Sequence, residues 1–271
     1  MATFNKDITL IAGSGNFALE AAKILEKKKR LRNIVLISDN VFIKKKYKEL
    51  VKKFDIKDLE EIIKFIKKIP SPKVLILGYV NLPPIKDIKL SISSKLYLSK
   101  DFFFNDINSQ SKIFKKFIES KKIKLISQKS IFKDNLIFKS DQIIKKEHKK
   151  IYQIIQKNSK FIKKIFSMNL SQSFIMDGNR VISIEDIFGT NNMINKISKS
   201  NFNFNNLILV KSIKKDQIFE IDYPIIGNET LTLLKRRNFK AICLINKGII
   251  ISQKKIFMKN ILKSKLSLIV I

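Results

Sequence analysis

Hydrophobic positions in this chain recur at two spacings, and the two alternate along the first half. Ile8 to Ala12 is an unbroken apolar run, as expected of a strand buried on both faces. Gly13-Ser14-Gly15-Asn16 follows directly, and Phe17, Ala21, Ile24 and Leu25 then share one face of a helix predicted to run to Lys28. Asn33 to Ser38 reads as a second strand. Leu59, Ile62, Ile63 and Ile66 fall at i, i+3, i+4 and i+7, which predicts a helix capped by Asp58 and stopped by Pro70-Ser71-Pro72. Lys73 to Leu77 is a third strand, ending at Gly78-Tyr79-Val80 and a Pro83-Pro84 break. Ile113 to Ser120 and Ile123 to Ser127 add a helix and a strand. Such alternation to about residue 130 predicts an α/β layer with a parallel sheet.

The second half reads differently. Asp141 to about Phe166 is predicted as one long Lys-rich helix with His148 on its solvated face. Phe174 to Asp177, Gly178-Asn179 and Val181 to Ile184 form a hairpin, with Glu185 at the end of its second strand. Gly189-Thr190-Asn191 opens a helix around Met193 to Ile197. Leu207 to Val210 is strand-like, and Asp222-Tyr223-Pro224-Ile225-Ile226-Gly227 reads as a carboxylate ending a strand at an exposed corner. Gly227 would cap a helix running to about Arg237 and set its N-terminus beside Asp222, a natural phosphate site. Asn246-Lys247-Gly248 is a turn, and Leu266 to Ile271 a last strand.

Composition changes this picture little. Apolar residues make up 45% of 271, enough for one large or two medium domains with real cores. The net charge of +32 points towards nucleic acid or an anionic membrane. Only five of the 55 basic residues are arginine, however (Arg30, Arg32, Arg180, Arg236 and Arg237), and the lysines are spread everywhere. Sequence-specific nucleic-acid readers rely on the planar Arg fork more than this, so no specific nucleic-acid partner is expected. A lone Cys243 fits a reducing cytosol, and no apolar run reaches the length of a membrane span.

The chemistry sits at the glycines. A strand, a glycine turn at Gly13-Ser14-Gly15-Asn16 and a helix together aim backbone amides at a ligand, usually a phosphate or a nucleotide. Ala18 replaces the third glycine of the dinucleotide fingerprint, and the acidic residue that would follow is Asp39. The Phe102-Phe103-Phe104 run reads as core or a partner groove. All seven glycines (13, 15, 78, 178, 189, 227 and 248) fall at predicted turns.

Taken together, Leu10-Ile11-Ala12-Gly13-Ser14-Gly15, Met176-Asp177-Gly178 through Ile184-Glu185, Gly189-Thr190, Leu209-Val210-Lys211 and Ile221-Asp222-Tyr223-Pro224-Ile225-Ile226-Gly227 form an ordered set. In this order the chain resembles the two-domain UDP-2,3-diacylglucosamine pyrophosphatases of lipid A biosynthesis, the type unrelated to calcineurin-like metallophosphoesterases. The resemblance implies a Rossmann-like, UDP-binding N-terminal domain (1–133) and a mixed α/β, lipid-handling hydrolase domain (134–271). It implies Asp222 as the essential aspartate, with Lys211 beside it in catalysis. Gly13, Ser14, Gly15, Asn16, Gly78, Gly189 and Thr190 would bind substrate. Mg²⁺ or Mn²⁺ would be held by Asp222 and Glu185. The products would be UMP and 2,3-diacylglucosamine 1-phosphate. The expected setting is cytoplasmic, peripheral on the inner-leaflet surface, with a homodimer as one expected state. Phe188 and Asn191 stand where the family carries acids, Asp106-Ile107-Asn108 replaces a Gly-Asp-Asp, and Asn81-Leu82 replaces a basic pair. Two other readings stay open: a nucleotide-binding module or regulator of the same fold with weakened catalysis, and a basic nucleic-acid-binding protein.

Overall fold

The computed structural model describes residues 6–37, 45–78, 87–102, 107–198 and 206–271. The chain forms two units, one of Met1–Phe132 with Ile218–Asp222 and one of Lys133–Gln217 with Tyr223–Ile271.

In the first unit, five short strands run parallel: β1 (Ile8–Ala12), β2 (Leu31–Leu36), β3 (Val51–Lys53), β4 (Lys73–Leu77) and β5 (Lys124–Leu125). Their spatial order is β3-β2-β1-β4-β5. The sheet therefore winds outward in both directions from β1, and the crevice between β1 and β4 is its topological switch point, where open α/β sheets bind ligands. β1 is buried on both faces because helices cover both sides, so its sequence is apolar throughout rather than alternating. Those helices are α1 (Phe17–Lys27), α2 (Leu59–Lys67), α3 (Ile92–Phe102), α4 (Ile107–Ser120) and the single turn α5 (Gln128–Ile131). The predicted α2 stripe is the buried one: Leu59, Ile62, Ile63 and Ile66 pack with Val35, Val74, Phe117 and Ile118. Each such side chain contributes roughly 1.5–3 kcal/mol of burial. This is the expected Rossmann-like layer.

Several local expectations shift. Asp58 makes no capping bond to α2, and its carboxylate pairs with Lys89 at 2.7 Å. Asp55 is the cap instead, accepting Lys57 N at 2.9 Å at the head of a 3₁₀ turn that leads into α2. β2 begins two residues before the predicted start, and β3 and α3 were not anticipated.

The second unit carries β6 (Ser173–Asp177), β7 (Arg180–Ile184), β8 (Leu207–Lys211), β10 (Ala241–Leu244) and β12 (Ser267–Val270) in the order β12-β10-β8-β6-β7, with a two-stranded sheet of β9 (Ile225–Ile226) and β11 (Ile250–Ile251). β12, β10 and β8 are parallel, and the predicted β6–β7 hairpin adds an antiparallel edge. One face of the sheet packs on α6 (Lys149–Lys157) and α7 (Ser159–Ser167), burying Ile155, Ile162, Phe174, Ile208 and Val210. The other packs on α8 (Thr190–Ser198), α9 (Asn228–Arg236) and α10 (Lys254–Leu262), burying Ile175, Leu209, Ile194, Leu231 and Phe257. Alternation along the strands sends Ser173 and Lys211, paired in register, to the α8 side.

The long helix predicted from Asp141 to Phe166 is instead two 3₁₀ turns followed by α6 and α7. The break falls at Asn158, whose side-chain amide donates to Ile154 O (2.8 Å) and Asn179 Oδ1 (2.9 Å). Such local side-chain bonds compete with helix continuation. His148 is not solvated: it is buried at the head of α6 with Nδ1 3.0 Å from Ser267 Oγ. Among the described residues no helix is long and apolar enough to cross a membrane.

Candidate functional site

The first unit offers a backbone cradle at its switch point. The turn after β1 is tied to β4 by Gly13 N donating to Leu77 O at 2.7 Å. Gly78 ends β4 with φ +88, and a Cβ there would lie 2.6 Å from Ser14 O and 2.8 Å from both Gly13 C and Gly13 O. All three contacts are backbone, so only glycine lets the two turns meet this closely. Gly15 has φ +103 with open space around it. The exposed Gly15 and Asn16 precede α1, and the Asn16 side chain makes no capping bond, so the first-turn amides are not closed off by it. The arrangement suits an anionic group laid across the β1 and β4 turns. Asp39, residues 79–84, Phe103, Phe104 and Asp106 lie outside the described residues.

The second unit gathers Glu185, Thr190 and Lys211, three of the residues singled out from sequence, and adds Ser173. Lys211 ends β8 almost fully buried, and its Nζ donates to Thr190 Oγ1 at 2.9 Å. Thr190, the first residue of α8, donates to Glu185 Oε1 at 2.6 Å, and Ser173 donates to Glu185 Oε2 at 2.5 Å. Each hydroxyl has one proton, and both protons are spent on the carboxylate. The 3.1 Å approach of Ser173 Oγ to Thr190 Oγ1 therefore carries no hydrogen bond of its own. Lys211 Nζ lies 3.9 Å from Glu185 Oε2, close enough for charge pairing but too long for a hydrogen bond. The carboxylate thus compensates a buried ammonium, while Thr190 orients it. Ammonium donors remain for an anion, and a phosphate oxygen is the fitting one.

This geometry bears on the expected metal. Both oxygens of Glu185 accept hydroxyl protons and the Lys211 ammonium lies beside one of them, so a divalent metal at Glu185 would compete with Lys211 for the same carboxylate. Among the described residues no group of three or more His, Cys, Asp or Glu side chains is gathered as a metal would require. Asp222, an exposed carboxylate, fits as a single ligand sharing an ion with phosphate oxygens, the usual manner of Mg²⁺.

Asp222 does not end a strand. β8 stops at Lys211 and the next strand begins at Ile225. Asp222 closes a helical turn, its N–H donating to Ile218 O at 2.9 Å, and it belongs with Ile218–Asp222 to the first unit. Gly227 does precede α9 as predicted, in extended backbone at φ −141 rather than a left-handed one.

The two departures at 188 and 191 have separate accounts. Asn191 bridges the heads of α8 and α9: its Nδ2 donates to Glu229 Oε1 (3.1 Å) and its Oδ1 accepts from Thr230 Oγ1 (2.7 Å). An aspartate there could not donate to Glu229 and would face it with a like charge. Phe188 is exposed, with Lys196 Nζ 5.3 Å from its ring centroid. Sequence reasoning missed Ser173 and Gln128. Ser173 was findable as a polar side chain heading an apolar strand; Gln128 lies in a polar stretch that gave no sign of its burial.

Residues 7–135 match the family model of the LpxI N-terminal domain, and residues 139–269 match that of the LpxI C-terminal domain. No curated protein matches the chain.

Proposed function

Because the chain belongs to the LpxI family, the family of UDP-2,3-diacylglucosamine hydrolases, we propose that it cleaves the pyrophosphate of UDP-2,3-diacylglucosamine in lipid A biosynthesis. The observation that carries this reading is that both halves of the family pattern run through the chain in order, across 7–135 and 139–269. Water adds across the P–O–P anhydride. One phosphorus takes the hydroxyl, while the bridging oxygen leaves with the other and takes the proton. The products are UMP and 2,3-diacylglucosamine 1-phosphate.

The roles follow from what each group can do. The Gly13–Asn16 turn and Gly78 suit the nucleotide's phosphates, since they offer amides and close backbone approach. Lys211, held by Thr190 and neutralised by Glu185, supplies charge to a phosphate oxygen in a site shielded from water. Asp222 orients water or, with substrate phosphates, holds Mg²⁺ or Mn²⁺; when bound, the ion supplies charge neutralisation. A membrane-bound substrate also calls for contact with its bilayer. Ile187 and Phe188 are 74% and 69% exposed, and Met168 and Leu170 are exposed in the connection that leaves the same end of the β6–β7 hairpin. With Lys196 over the Phe188 ring, these side chains support docking on an anionic inner leaflet.

The test is metal-dependent UMP release by wild type and Asp222→Ala. Turnover should fall roughly 100-fold or more, the scale of losing a positioned catalytic group. Because Asp222 is exposed, stability should change by less than about 1 kcal/mol. Equal rates would remove Asp222 from the chemistry. A wild type that releases no UMP with any divalent metal would establish the weakened binding module, a reading that the use of Asn191 as a helix bridge favours.

A further inference from the structure

The segment carrying Asp222 is fixed to the first unit by a small set of bonds. Residues 133–217 before it and 223–271 after it belong to the second unit, and the matched C-terminal domain spans it. Yet Gln128 N donates to Phe219 O at 3.2 Å, and Gln128 Nε2 donates to both Ile221 O (3.1 Å) and Ile76 O (3.0 Å). Lys115 pairs with Glu220 at 3.0 Å, and Ile221 packs against the core formed by α2 and α4. Gln128 is 3% exposed, so its amide bonds are shielded from competing water. Ile76 lies in β4, two residues before Gly78. A single nitrogen thus joins the carbonyl preceding Asp222 to the strand whose end completes the glycine cradle.

We propose that Gln128 is a positioning residue: it sets the Asp222 carboxylate in the frame of the nucleotide-binding sheet. The inference rests on the reading of Asp222 as catalytic. The chemistry selects glutamine. Two N–H groups on one nitrogen must reach two carbonyls, which an ionised glutamate cannot do and a methionine of similar length cannot do. The consequence is that the carboxylate and the cradle form one rigid piece, although Gln128 and Ile221 lie 93 residues apart along the chain. A shift of about 1 Å in a reacting group can cost on the order of 100-fold in rate, so losing this tie should appear in turnover rather than in substrate binding.

The experiment compares wild type, Gln128→Met, Asp222→Ala and the double variant in UMP release from UDP-2,3-diacylglucosamine, with thermal unfolding and amide hydrogen exchange of residues 218–222. Gln128→Met should lower kcat by about tenfold or more while KM stays within about threefold. It should also speed exchange of the Asp222 amide, and it should cost nothing further in the Asp222→Ala background, because the two residues act through one group. An equal loss in that background, a rise in KM alone, or unchanged exchange would overturn the proposal. If wild type releases no UMP, the functional reading fails on its own, and exchange then decides: no faster exchange in Gln128→Met sinks the tie. Should Gln128→Met not fold, Lys115→Ala loosens the same segment through Glu220 and is read in the same way.

Discussion

Replacing Gly78 by alanine tests the cradle at its tightest point. The added Cβ would meet three backbone atoms at 2.6 to 2.8 Å, distances at which something must move, and none of the three belongs to a flexible side chain. The residue also sits at φ +88, which costs a non-glycine residue roughly 1–3 kcal/mol. Overpacking adds about 1–3 kcal/mol. The sum, about 2–6 kcal/mol, is a large part of a typical stability of about 5–15 kcal/mol. Gly15→Ala separates the two contributions: φ is +103, but no atom lies within 4 Å, so it carries the backbone strain alone. Urea unfolding of the two variants gives the difference, and calorimetric titration with UMP reads the site. Gly78→Ala should lose clearly more stability than Gly15→Ala and should weaken UMP binding, because the atoms displaced belong to the Gly13–Ser14 turn itself. If Gly78→Ala is no less stable than Gly15→Ala, the close approach of the two turns is wrong.

Other outcomes follow from the same geometry. Lys211→Met leaves Glu185 without its cation and should cost about 3–5 kcal/mol; adding Glu185→Gln should restore much of the stability but none of the UMP release, and a neutral single variant would refute the pairing. Burial, the largest influence on His148, lowers its pKa below the ordinary 6.5; Lys240 and Lys145 act in the same direction, and Glu147 opposes them. Below pH 6.5 the unfolded chain then binds the proton more readily, so stability is full above 6.5 and falls as pH drops through the folded pKa; His148→Gln should flatten that fall in urea midpoints, and an unchanged pH profile would refute it. Asp55→Ala should cost about 1 kcal/mol, and Asp58→Ala less, because only Asp55 makes the capping bond; the reverse order in thermal unfolding would restore Asp58 as the cap.

The elements legible in the sequence were those whose burial follows from local period. α2 shows this: Leu59, Ile62, Ile63 and Ile66 are spaced for a helix and are the residues it buries. Where local period was satisfied by two structures, it could not choose between them. Ile151, Ile155, Ile162 and Phe166 are all buried at spacings that suit one continuous helix, and the break is made by the Asn158 amide, a side-chain bond with no hydrophobic signature. The stretch before Asp222 failed for a related reason. Ile218, Phe219 and Ile221 beside Glu220 and Asp222 look like a strand running to a corner, but the segment turns on itself and docks on Gln128, a partner 93 residues from Ile221. Tertiary contacts at that separation override a five-residue pattern.

Fifty-five basic residues conceal any functional one if the evidence is a count, since a composition bias distributes lysine wherever water will accept it. Burial removes that freedom, because an ammonium taken out of water is costly unless it is paired and hydrogen-bonded. Among the described residues Lys211 is the lysine that is buried, and its surroundings bear the marks of that cost: a carboxylate within 3.9 Å, a hydroxyl accepting at 2.9 Å, and a second hydroxyl holding the carboxylate in place. A methionine or leucine would fill the end of β8 without any of these three partners. Keeping a charge there, at the head of α8, makes physical sense when an anion is to be met, and the same logic separates this lysine from the solvated ones that give the chain its net charge of +32.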